Sequence, residues 1–283
     1  MSTTEPVITS YAEAPARTIS AGGVTYAYRE LGPKGGIPVI FFVHLAATLD
    51  NWDPRIVDPI AATRHVITFD QRGVGASTGK MPATLEEAAD HAYEFISALG
   101  FEKIDVFSFS MGGFIAQDLI VKHPDPVRRL VLTGTGPRGG KDIEKVVATT
   151  YWDILRATVT RSDPKEFLFF NRDATGKAAG KAFIERLRGT HRGQGQGDQP
   201  PGAADPAHGD REVRPVGPLR PVELPPTLIA NGDHDRMVPT PLSEDLHRRI
   251  KGSELIIYPD SGHGGIFQFH EEFAPVAAAF LTD

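Results

Sequence analysis

Ser110 stands in the run Ser108-Phe109-Ser110-Met111-Gly112-Gly113, where a short apolar stretch meets a helical pattern. A small residue, any residue, serine, any residue and glycine at a strand-to-helix turn hold the serine in a tight bend that lifts its hydroxyl above a sheet. The helix that follows starts with backbone N–H groups that have no partner inside the helix. The N–H of Met111 is one of these, expected to point at the oxyanion that develops when Ser110 attacks a carbonyl. Glycine is the usual first small residue of the pattern; Ser108 is small enough to take its place.

A serine nucleophile needs a base, and the base needs an acid to orient it. Alternating sheets with such a serine supply the set in the chain order serine, acid, histidine. Two later loops fit that order. Asn231 to Pro239 contains Asp233 and Asp235, and Pro259 to Gly265 contains His263. His263 is the expected base, whereas His270 falls in a helical pattern and reads as a surface residue. Asp235 opens an Asp-x-x-Val-Pro run, which sets it further along its loop than Asp233, within reach of the histidine. Asp235 is the expected acid and Asp233 the alternative. The run Thr133-Gly134-Thr135-Gly136, after an earlier strand, offers no acid. Asp233-His234-Asp235 does not read as a metal site, because three adjacent residues rarely converge on one ion. No metal and no cofactor are expected.

A second oxyanion donor belongs on the loop His44 to Trp52. The N–H of Ala46 is the expected donor and that of Leu45 the alternative. Leucine at position 45 disfavours positive φ, so the path of this loop is expected to differ from one built with glycine. His44 reads as a structural tie for the loop. Asp70 to Ser77 contains Gly73-x-Gly75, but with no third glycine and no immediate helix it fails the dinucleotide fingerprint and reads as a structural turn.

The elements that must position these residues alternate along the chain. Val24 to Arg29, Ile37 to Val43, Val66 to Phe69, Ile104 to Ser108, Val127 to Leu132, Thr227 to Ala230 and Leu255 to Tyr258 read as strands. Ile37 to Val43 is continuously apolar, as in a strand buried on both faces. Thr84 to Leu99 is the clearest helix, with Thr84 and Glu87 as a capping box and Gly100 as its C-cap. Met111 to Lys122, Pro241 to Ile250 and Gln268 to Leu281 follow as helices. Such alternation predicts a mostly parallel sheet with helices on both faces, and ligands beyond the carboxyl ends of its strands. The candidate residues all follow strands. Residues 139–224 interrupt the alternation and read as a lid, with helical patterns at Thr149 to Thr160, Pro164 to Asn171 and Ala178 to Arg188. The domain reading is a core at 1–138 and 225–283 with the lid at 139–224.

These residues together resemble the α/β-hydrolase superfamily. The resemblance rests on His44 with Trp52, Asp70-x-Arg72-Gly73-x-Gly75-x-Ser77, the Ser110 turn, Asp235 and His263. It covers Val24 to Leu132 and Thr227 to Leu281. It implies an eight-stranded α/β-hydrolase fold and acyl transfer by a Ser-His-Asp triad, with an ester or lactone as the small-molecule substrate. Within the superfamily the chain is similar to bacterial esterases, acyl-homoserine lactonases and cofactor-free haloperoxidases. Serine rather than aspartate at position 110 argues against haloalkane dehalogenases and epoxide hydrolases. The expected function is a carboxylesterase. The alternatives are an acyl-homoserine lactonase and, in another class, a catalytically weak small-molecule-binding protein of this fold.

Composition narrows the field. Of 283 residues none is cysteine, which excludes disulfides, thiolate metal sites and a cysteine nucleophile. A net charge of −6 argues against a general nucleic-acid binder. No run of about 18 apolar residues is present, so no membrane span is expected. Met1 to Ser20 lacks the pattern of a signal peptide, and a cytoplasmic location is expected. One segment is anomalous. Gly189 to Pro226 holds seven glycines and eight prolines in 38 residues, with no aromatic and no isoleucine. It cannot bury enough apolar surface to offset chain ordering, so it is expected to be poorly ordered. It reads either as a flexible lid loop or as a stretch translated in a shifted frame of a GC-rich gene.

Overall fold

A computed structural model describes residues 7–140, 152–153, 156–190 and 224–282. Eight strands form one sheet: β1 (Arg17–Ala21), β2 (Val24–Leu31), β3 (Val39–Phe42), β4 (Val66–Phe69), β5 (Ile104–Phe109), β6 (Val127–Thr133), β7 (Thr227–Gly232) and β8 (Glu254–Tyr258). Their order across the sheet is β1-β2-β4-β3-β5-β6-β7-β8. The pairs β1–β2 and β2–β4 are antiparallel, and all the others are parallel. Every residue of β3, β4, β5 and β7 is buried, as their near-continuous apolar runs require under helices on both sides.

One face is covered by α1 (Pro54–Ala61) and the C-terminal helix α8 (His270–Thr282). The other is covered by α2 (Leu85–Leu99), α3 (Met111–Lys122) and α6 (Thr240–Arg249). The caps of α2 follow the sequence pattern, with one shift. Thr84 Oγ1 accepts from Glu87 N at 3.1 Å, while the Glu87 carboxylate accepts from Ala83 N. Gly100 closes the helix at φ 79°, where glycine has no steric penalty.

Three elements depart from the sequence reading. Strand β1 was not expected; it joins β2 through Gly22 and Gly23, both at positive φ, as a two-residue hairpin turn demands. Helix α1 was not expected either; Asp53 caps it by accepting from Arg55 N at 2.9 Å, and Pro54 occupies its first turn. The helix expected over Gln268 to Leu281 divides into α7 (Gly265–Gln268) and α8, with Phe269 between them. His270 begins α8 and is half-buried.

Between β6 and β7, α4 (Pro164–Phe169) and α5 (Ala174–Thr190) pack on the core through Phe169, Phe170, Phe183, Ile184 and Leu187. Arg186 of α5 makes a two-pronged ion pair with the fully buried Asp53, its Nη2 at 2.6 Å. Gly189 and Thr190 close α5; most of the segment expected to be poorly ordered lies outside the described residues, as does part of the helix expected at Thr149 to Thr160. Among the described residues no helix is long and apolar enough to cross a membrane.

Candidate active site

The parallel strands end together. Phe42 pairs with Ser108, Phe109 with Thr133, Thr133 with Ala230, and Gly232 with Tyr258. The loops after β3, β5, β6, β7 and β8 therefore converge over one edge of the sheet, and every candidate residue lies there.

Ser110 occupies the turn between β5 and α3 at φ 56°, ψ −120°. Positive φ in a non-glycine residue is strained and is sustained only by its surroundings. Ser110 N donates to Thr133 O at 2.9 Å, and Gly113 N donates to Ser110 O at 2.9 Å. The two glycines after Met111 are needed for space. A Cβ on Gly112 would lie 2.1 Å from Phe42 O, and one on Gly113 would lie 2.6 Å from the Thr135 side chain. Ser108 is buried and donates its hydroxyl to Val131 O at 2.7 Å, which fastens β5 to β6 beneath the turn.

His263 follows β8 and is 2% exposed. Its Nε2 is 2.9 Å from Ser110 Oγ, and its Nδ1 is 2.8 Å from Asp235 Oδ2. Asp235 is buried, and its other oxygen accepts from Met237 N at 2.8 Å and Val238 N at 2.9 Å. Those bonds aim Oδ2 at the imidazole. Asp233 is turned elsewhere. It accepts from His234 and from Ser261 N, outside the chain of bonds that joins Ser110, His263 and Asp235. Asp233, His234 and Asp260 present three ligand-type atoms within 4.8 Å of one another, all on exposed residues, and Asp235 is not among them. Gly134, after β6, has φ 53°, and a Cβ there would press on Phe109 and on His263 at 3.1 Å.

In the loop after β3, the left-handed residue is Ala46, at φ 56°, not Leu45. Both residues are exposed. His44 is buried; its Nδ1 lies 2.9 Å from Leu45 O, as a structural tie requires. Burial, reinforced by the charge of Lys165, pushes His44 down to about 3, so its ring is neutral. The loop is fastened further along. Leu49 N donates to Asp70 Oδ1 at 2.6 Å, Ala76 N donates to Asp70 Oδ2 at 2.8 Å, and the Tyr11 hydroxyl donates to Leu49 O. Gly75 is required at φ 56°, since a Cβ would sit 2.3 Å from the Asp70 carboxylate. The Asp70 turn thus ties the β3 loop to the sheet. Burial raises the Asp70 carboxyl to about 6.

Four residues that the sequence reading missed surround this set. Phe169 of α4 packs edge-on against His263 and His44. Arg236 and Arg172 share the buried carboxylate of Asp153 at 3.1 and 2.7 Å. No local pattern marks these contacts, because each joins segments remote in sequence.

Arrangement and ancestry agree. The profile of the alpha/beta hydrolase fold family matches residues 37–159. An alpha/beta hydrolase fold protein from Chitinophaga pinensis superposes with a TM-score of 0.83 at 34% identity, over 96% of this chain and 98% of that one. The 2-hydroxy-6-oxo-6-(2'-aminophenyl)hexa-2,4-dienoic acid hydrolase of Metapseudomonas resinovorans is 27% identical over 94% of this chain and 90% of its own length. A pimeloyl-[acyl-carrier protein] methyl ester esterase of Neisseria meningitidis is 28% identical over 82% of this chain and 72% of its own length. Relatives named as hydrolases and esterases support a hydrolase. The chain belongs to the alpha/beta hydrolase fold family.

Proposed function

We propose that this protein cleaves carboxylic esters with Ser110 as nucleophile, His263 as general base and Asp235 as the acid that orients the imidazole. One observation carries the reading: two hydrogen bonds, of 2.9 and 2.8 Å, link the strained Ser110 through His263 to Asp235. His263 Nε2 takes the Ser110 proton as Oγ adds to the ester carbonyl. Asp235 holds the tautomer with the proton on Nδ1 and stabilises the imidazolium. The N–H groups of Met111 and Ala46 bind the tetrahedral oxyanion, each worth on the order of 10²–10³ in rate. His263 then protonates the departing alcohol. Water attacks the acyl-enzyme with His263 again as base, and the carboxylic acid leaves with Ser110 restored. The left-handed Ala46, on a loop level with Ser110, supports its assignment as the second donor.

We read 139–224 as a cap inserted into a core of 1–138 and 225–283. The seating of α4 and α5 on the core supports this. A lactone is an ester whose alcohol stays tethered, so the same steps open an acyl-homoserine lactone. Graded p-nitrophenyl esters assayed beside homoserine-lactone ring opening separate the two substrates. A fluorophosphonate probe tests the nucleophile. It is expected to label Ser110 in the folded protein and to leave the S110A variant untouched. A folded wild type that resists the probe would favour a binding protein of this fold.

A further inference from the structure

Helix α4 is short. Asp163 caps its start by accepting from Lys165 N at 2.9 Å, and Pro164 fixes the first turn. The last carbonyls of a helix have no partner within it. Two of those in α4 find partners in the loops that carry Asp235 and His263. Phe167 O accepts from Arg236 Nη2 at 2.8 Å, and Arg236 is the residue after Asp235. Phe169 O accepts from Gly264 N at 2.7 Å, and Gly264 is the residue after His263.

The glycines around His263 fit the same contact. Gly264 has φ −85°, a value any residue adopts. What excludes a side chain is α4: a Cβ on Gly264 would lie 2.9 Å from Phe169 Cβ, and one on Gly262 would lie 2.8 Å from Phe169 O. The Gly-His-Gly run is therefore shaped to receive this segment. The imidazole itself is packed by two rings, Phe109 at 4.8 Å and Phe169 at 5.5 Å between centroids. Asp153 is 3% exposed and holds Arg236 and Arg172 at once, which fixes the guanidinium that reaches Phe167.

We propose that the segment Phe167–Phe169 is a positioning brace that holds the Asp235 and His263 loops in register, so that the base is correctly aimed only while this helix is seated. Phe169 and Arg236 are its positioning residues. The proposal rests on the catalytic roles given above to Ser110, His263 and Asp235. Displacing a reacting group by about 1 Å costs on the order of 10² in rate, which sets the size of the effect expected when the brace is lost.

The test uses the full chain and two readouts. The first is the fluorophosphonate labelling rate across pH. The second is the NMR signal of the His263 Nδ1 proton, which reports the bond to Asp235 whether or not the protein is an enzyme. The F169A and R236M variants are expected to label about 10²-fold more slowly. Their acidic limb should shift, and the Nδ1 proton should exchange away. R236K, which keeps a donor for Phe167 O, should recover much of both. If F169A does not fold, F169L and R236M carry the test. Variants that melt cooperatively, label at the wild-type rate with the wild-type pH limb and keep the Nδ1 proton would overturn the brace. If the wild type does not label, the catalytic reading falls; loss of the Nδ1 proton in the variants then still supports the brace, and its retention overturns it.

Discussion

The turn around Ser110 and the loop around His263 lie over the same sheet edge, and different contacts hold them. Ser110 is kept by backbone and by close approach within the sheet: its N–H on Thr133 O, Gly112 pressed on Phe42 O, Gly113 on Thr135. These contacts come with the strand pairing β3–β5–β6 and with a helix that must start where it does. His263 is kept partly by the core, with His234 N on Ser261 O, Gly232 pressed on Gly262 O, and Asp235 and Phe109 against the ring. It is kept partly by residues that lie between β6 and β7: Gly264 N on Phe169 O, the Phe169 ring, and α5 fastened by Arg186 to Asp53. The first arrangement is a property of the fold. The second adds to such contacts those of α4 and α5, which lie between β6 and β7. The difference teaches that one half of the site is held by the strand pairing itself, while the other adds contacts to α4 and α5, among them side-chain and ionic ones that can be removed one at a time.

The largest effect that breaks the comparison is expected at Ser110 itself. S110G removes the hydroxyl and should lower labelling and hydrolysis by on the order of 10⁶, the scale seen when a serine nucleophile is deleted. The same change relieves a non-glycine residue at φ 56°, a strain of order 1–3 kcal/mol. Partly offset by the greater backbone entropy of glycine, it should leave the variant about 1 kcal/mol more stable. Denaturant midpoints at unchanged slope measure this. A less stable S110G would show that the turn is not held in strain by the sheet.

The same contrast explains what could be read from the amino-acid order. The Ser110 turn was legible because its glycines, its strand and its helix are neighbours in the chain. That Asp235 rather than Asp233 would reach His263 was legible because its place in the loop governs reach. The left-handed residue of the β3 loop was not; with leucine at 45 the positive φ falls on Ala46, a choice made by the path from His44 to the Asp70-bound Leu49. Strand β1 was missed because, half-exposed, it lacks a buried apolar run, although Gly22-Gly23 marked its turn. Phe169, Arg236, Asp153 and Arg186 act across distances of chain that no spacing rule covers. The start of α8 shows the limit of periodicity: it predicts one helical face over Gln268 to Leu281, and not that the helix breaks at Phe269.

The side of the comparison held by α4 and α5 is sharpened by its own ion pair. Asp53 is fully buried and Arg186 is its charged partner. Removing one member of a buried pair leaves an uncompensated charge and costs about 3–5 kcal/mol. R186M should be destabilised by that amount in urea. The double variant R186M/D53N should regain part of it, because asparagine still caps α1 and carries no charge. An R186M variant as stable as the wild type would mean that α5 is held by its apolar contacts alone.

The smallest effect belongs to the sheet side and concerns pH. Burial holds the Asp70 carboxyl at about 6, against an ordinary aspartate value of 3.8. The folded state therefore binds this proton more tightly than the unfolded state does. Below the unfolded value the carboxyl is protonated in both states and carries no penalty. As pH rises from about 4 to 6, the unfolded chain ionises first, and stability falls by at most about 1.4 kcal/mol per pH unit. Above pH 6 the penalty is complete and constant. Carbon-detected NMR of the Asp70 carboxyl should show its titration near 6. In urea, D70N should lack this part of the pH slope, although it weakens the ties to Leu49 and Ala76 and lowers stability at every pH. The backbone-held half of the site would then lose stability toward neutral pH, while R186M acts through an arginine that stays charged throughout. An Asp70 that titrates near 4, or a D70N variant with the wild-type slope, would mean that the two N–H donors to its carboxylate outweigh its burial.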